Sequence, residues 1–193
     1  MRFKPIYVLL LTVLPAIQAK ANNPDDVIRP YKIHVQYAGN LGLISVGLGK
    51  PYLNNKLNMF ILYGYLPKAI NGVKVHTLAL KSSFTYASTR ISSNYDLDYY
   101  LGITTLYSIA KNTYMQYPDY FPDNYYSVTN AIHFCPHLGL QTNVKFIPHK
   151  PRDLHVFLEI GTIDYKLWSA ITTRYINIFK ICNISFGIVF TKK

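Results

Sequence analysis

Acidic side chains are scarce in this chain. Its 193 residues hold 9 Asp and Glu against 20 Lys and Arg, and Glu159 is the only glutamate. Charged residues of both signs make up 15%, where soluble domains usually carry about a quarter. Cysteine is limited to Cys135 and Cys182, with no Cys-x-x-Cys pair. Past the first 21 residues no apolar run nears the roughly 20 residues of a spanning helix, which excludes a helical membrane protein. Also missing are a Gly-rich phosphate loop, a His-Glu-x-x-His motif and any repeat of about 20–50 residues. No motif calls for a cofactor or a metal.

What is present is dispersed. Half of the residues are hydrophobic and 18 are Tyr, yet mean hydropathy is only +0.08. Apolar residues spread so evenly suit alternating strands rather than helical blocks. The net charge of +11 is spread as well, over Lys50, Lys56, Lys68, Arg90, Lys111, Lys150 and Arg152 at strand ends and turns. A nucleic-acid partner needs a basic stripe, and none is formed. Anionic lipid head groups or lipopolysaccharide phosphates are the expected neighbours, against the plainer reading of charge that keeps loops in solution.

Met1–Ala21 has the parts of a cleaved secretory signal. Arg2 and Lys4 form the basic start, Ile6–Ile17 the apolar core, and Ala19-Lys20-Ala21 the cleavage site. Residues 22–30 are a polar lead-in, which leaves 31–193 as one domain. From Tyr31 onward, strands and turns alternate. Ile33, Val35 and Tyr37 oppose His34 and Gln36; Ile44, Val46 and Leu48 oppose Ser45, Gly47 and Gly49; Met59, Ile61, Tyr63 and Tyr65 oppose Asn58, Phe60, Leu62 and Gly64. A fourth strand over Val73–Ala87 has conflicting parity, since Val73 and Val75 argue against Leu78 and Leu80, and a bulge is expected. Ser88–Asp96 reads as a polar link.

The remaining strands are expected over Leu97–Ala110, Asn130–Asn143, Leu154–Asp164 and Lys180–Phe190. In the last, Cys182, Ile184, Phe186, Ile188 and Phe190 share one face, and Asn183, Ser185, Gly187 and Val189 the other. Eight strands with one oily and one small or polar face predict an all-β, antiparallel, up-and-down transmembrane barrel, lipid outside and polar lumen inside. The two longest links, Lys111–Thr129 and Tyr165–Phe179, then fall at the same end, outside the cell if both termini are periplasmic. Tyr114, Tyr117, Tyr120, Phe121, Tyr125 and Tyr126 crowd the first of them and Trp168 the second, as a girdle or a sticky surface. A soluble lipocalin-like barrel holding an apolar ligand would show the opposite polarity.

Several stretches carry a resemblance: Gln36-Tyr37-Ala38-Gly39, Gly42-Leu43-Ile44-Ser45-Val46-Gly47, Tyr63-Gly64-Tyr65 with Pro67, His76-Thr77-Leu78, and Glu159-Ile160-Gly161-Thr162 with Trp168. Through them the chain resembles the small outer-membrane β-barrel proteins of Bacteroidota. That resemblance implies an outer-membrane address, lipid and lipopolysaccharide as neighbours, and the barrel assembly machinery as a partner. It names no activity.

By parity His34, Asp98, His133, His137, His155 and Glu159 all face the lumen. A turn centred near residue 148 would set residue i against 296 − i, so that His137 faces Glu159 and Gln141 faces His155. Narrow lumens are filled by side chains, and a buried carboxylate needs a partner, so a hydrogen-bonded plug is the expectation. A metal site from His133, His137, His155 and Glu159 lacks ligand spacing. As an enzyme, His133-Phe134-Cys135 with Glu159 resembles the His-x-Ser plus Glu arrangement of lipid A deacylase barrels, with Cys in place of Ser. Cys135 and Cys182, on different faces, are expected to stay free thiols.

Overall fold

Alternation of oily and polar residues produces a closed wall. The strands are β1 (Tyr31–Ala38), β2 (Ile44–Tyr52), β3 (Leu57–Leu66), β4 (Val75–Ser92), β5 (Tyr95–Ile109), β6 (Ile132–Val144), β7 (Asp153–Gly161) and β8 (Asn183–Lys192). Each pairs antiparallel with the next, and β8 pairs back onto β1. Three short helices lie in the connections: α1 (Lys68–Asn71) between β3 and β4, and α2 (Asp164–Thr173) and α3 (Ile178–Ile181) between β7 and β8. The computed structural model describes residues 30–92, 95–111, 113–115, 130–144, 153–173 and 177–192. Residues 1–29, on which the expected signal and most of the lead-in fall, and Tyr117, Tyr120, Phe121, Tyr125 and Tyr126 lie outside the described residues.

Pairing registers drift by about ten residues in one circuit of the wall, which tilts the strands by roughly 40°. The outward face then carries Ile33, Val46, Ile61, Leu78, Ile103, Leu138, Leu158 and Phe186, one from each strand and all exposed. No Asp, Glu, Lys or Arg points outward between the two rims of the described wall. Lysines and aromatic rings meet at those rims. Near the chain termini, Lys50 Nζ sits 4.5 Å from the Tyr31 ring centre and the Tyr86 and Tyr99 rings are 6.4 Å apart. At the opposite rim, Tyr37 packs on Phe186, and Tyr65 lies against His76 and Lys74.

Several expected boundaries move. β4 runs on to Ser92 and β5 starts at Tyr95, so Ser88–Ser92 and Tyr95–Asp96, read as part of a polar link, are strand; residues 93 and 94 lie outside the described residues. Register shifts between Thr85 and Ala87 and between Arg90 and Ser92 absorb the twist of this long hairpin. Through the wall itself Thr77, Ala79, Lys81 and Ser83 face in, which settles the parity in favour of Leu78 and Leu80 outward. β7 ends at Gly161 and not at Asp164, because Asp164 opens a helix. The last strand begins at Asn183: Lys180 lies in α3 and Cys182 caps it, so neither belongs to the oily face of β8.

Inward glycines make room for rings. Gly49, Gly102, Gly139 and Gly187 pair directly with Phe60, His137, Tyr100 and Phe157. A methyl group added at any of the four would overlap that partner's ring. A small barrel crowds its inward side chains, and glycine opposite a ring relieves the crowding.

Candidate functional site

The lumen is the only place in the described residues where several charged side chains are buried together. At its middle, Lys81 from β4 is 2% exposed and Glu159 from β7 is 6% exposed. Their Nζ and Oε2 atoms are 2.6 Å apart. Lys81 also donates to Gln36 Oε1 at 3.1 Å, and the Tyr100 hydroxyl donates to Glu159 Oε2 at 3.2 Å. His137 Nε2 lies 3.8 Å from the same carboxylate oxygen and 3.2 Å from Ser83 Oγ. Side chains from β1, β4, β5, β6 and β7 thus converge on one ion pair. A carboxylate and an ammonium taken out of water are tolerable only when paired and hydrogen-bonded in this way.

Two polar layers lie nearer the rim that holds the termini. Lys32 Nζ donates to Asn58 Oδ1 at 2.7 Å. Asp98 accepts from Gln141 at 3.1 Å and from Ser88 at 2.6 Å. His34 packs between the rings of Phe60 and Phe157, at 4.9 and 4.8 Å. Toward the other rim the filling turns apolar, with Leu41, Leu62, Ala79, Leu106 and Cys135 buried. The voids left between these layers are about 20 and 10 Å³, roughly one water each. His155 lines the larger; Cys135, His137 and Glu159 line the smaller.

The polar cluster expected from parity is therefore split in three. His137 and Glu159 meet at the centre. His34, Asp98 and His155 belong to the layers toward the termini. His133 sits at the opposite rim, where its Nδ1 is 3.1 Å from Asp164 Oδ1 and its Nε2 is 3.1 Å from the Asn130 carbonyl oxygen. The β6–β7 register is two residues away from the expected one: His137 pairs with Gly161, Gly139 with Glu159 and Asn143 with His155. His137 still reaches Glu159, but diagonally.

Asp164 holds its rim position through charge. Burial alone would raise its carboxyl, but the His133 ring and the Phe134 and Tyr165 backbone N–H groups outweigh that and keep it below the usual carboxylate range. The carboxylate partner of His133 is thus Asp164, while Glu159 is taken by Lys81, Tyr100 and His137. Cys135 shares a void with Glu159 that His133 does not line. A nucleophile, a base and an orienting acid are not assembled from His133, Cys135 and Glu159 in this geometry. Both cysteines are free, Cys135 inside the barrel and Cys182 at the end of α3. Among the described residues no three His, Cys, Asp or Glu side chains converge as a metal requires.

Lys81, the strongest partner in the lumen, was not singled out by sequence, and neither was Tyr100. The signal existed: once Leu78 and Leu80 are placed outward, Lys81 must face in, and a lone buried glutamate asks for a cation. No family model and no curated protein matches the chain.

Proposed function

We propose that this chain is an outer-membrane β-barrel protein whose role is structural or lies in surface contacts, with a lumen packed shut rather than open as a pore. One observation carries the reading: a mostly oily outer face, free of charged side chains between two rims of Tyr, Phe and Lys, wrapped around an ion-paired interior. Water would solvate the interior set and leave the outer face unfavourable; hydrocarbon reverses both preferences. Eight-stranded walls with roughly 40° tilt span a bilayer with strands of about 9–11 residues, and all of these strands but the eight-residue β1 reach at least 9. Lipid and lipopolysaccharide are the neighbours this face fits. The leader-like Met1–Ala21 supports export and insertion by the barrel assembly machinery, as in the small Bacteroidota barrels that the chain resembles.

A lipocalin-like carrier would turn its oily side chains inward, whereas here the exposed face of every strand is mostly oily and the middle of the lumen holds an ion pair. The deciding experiment is fractionation followed by a gel. In the producing cell the protein should resist carbonate extraction, co-sediment with the outer membrane and migrate differently unheated and boiled. Recovery in the soluble fraction with one heat-independent band would refute the reading.

A further inference from the structure

We infer that α2 and α3 form an interfacial anchor, seated in the anionic head-group layer of the bilayer that the wall spans. The inference rests on the membrane reading above and deepens it. β7 stops at Gly161 and β8 starts at Asn183, whereas β6 between its neighbours reaches back to Ile132. The gap so left in the upper wall is taken by the helical segment. Asp164 Oδ2 accepts the Phe134 backbone N–H at 3.1 Å, in the place where another β7 residue would have bonded β6. The helices therefore continue the wall just above the oily belt and are not a free loop.

Their exposed side chains have the chemistry of that level. Tyr165, Trp168 and Ile171 recur at three-residue spacing on α2, and Trp168 is 69% exposed. Phe179 on α3 is 87% exposed, and five residues further on the outward face of β8 begins with Ile184 and Phe186. Ile181, on the other side of α3, is buried, and the Thr162 hydroxyl bonds its carbonyl oxygen at 3.0 Å. The segment is thus fastened to the barrel by one face and shows rings on the other. Lys180, next to Phe179 in the chain and exposed with it, and Lys166, elsewhere on α2, supply positive charge at this level that matches the phosphates of a head-group layer. Tyr and Trp prefer this boundary because one part of the ring system can stay wet.

Trp168 is the only tryptophan, so its fluorescence reports on this segment alone. The chain is refolded into phosphatidylethanolamine–phosphatidylglycerol vesicles, and folding is checked by the unheated gel shift. With the shift present, Trp168 emission should move to the blue and be quenched severalfold less by iodide than in urea. Lipids brominated near the carbonyl end should quench it more than lipids brominated deep in the chain. Water-like emission with iodide quenching as strong as in urea, in vesicles where the gel shift is present, overturns the anchor while the barrel stands; that result would leave the rings for a protein partner or a second surface. Loss of the gel shift itself overturns the membrane reading and the anchor with it.

Discussion

A lysine inside a barrel has to be held, and Lys81 is held by Glu159, Gln36 and the face of Phe157. Removing one member strands the other charge, a loss that typically costs about 3–5 kcal/mol, whereas replacing both by apolar residues of similar size is close to neutral. Lys81→Met should therefore lower the urea midpoint of the folded, fast-migrating band sharply. Lys81→Met combined with Glu159→Leu should recover most of the loss. A single variant no weaker than the double would show that the pair is not coupled. At this scale the only glutamate was legible from sequence. Its partner was not, because Val73, Val75, Leu78 and Leu80 give β4 two conflicting phases; Val73 lies outside the strand and Val75 at its first position, where neither sets the phase of the wall.

Among the elements, α2 depends on charge at its first residue. Asp164 is stabilised as a carboxylate in the fold, so its contribution is complete above the ordinary carboxylate range near pH 4 and is lost as pH falls through its lower folded value. Protection factors of the 164–173 amides, taken against the intrinsic rates at each pH, should stay high at pH 6 and drop in acid below that range, before those of the wall strands. Asp164→Asn should lower protection there at both pH values. Equal protection of the variant and the parent at pH 6 would show that the carboxylate does not fasten the helix. The strands around it were largely readable, since alternation survives at single-residue resolution. Their ends were not: Asp164, the first residue of α2, and Lys180 and Ile181 of α3 continue the alternation of the neighbouring strands, and at Asp164 the contacts with β6 decide otherwise.

As a whole, the molecule closes on its own side chains. Rings set into the glycines of neighbouring strands and the central ion pair leave voids of about one water through the middle of the lumen, and a cavity of about 400 Å³ opens only at the mouth, beside Asn40, Thr77 and Ser108. In planar bilayers the purified protein should show no porin-like conductance steps. Steady steps that disappear on boiling would mean that the filling moves aside. The residue sequence by itself determined that the strands of this chain have two unlike faces and that there are eight of them. Side-chain parity is local, so a reader needs only neighbours along the chain. Only the tertiary structure decided that the sheet closes β8 onto β1, that the β6–β7 register lies two residues from the expected one, and that Lys81 is the cation Glu159 meets. Those are relations across strands, set by stagger and packing around the whole wall, and no stretch of sequence contains them.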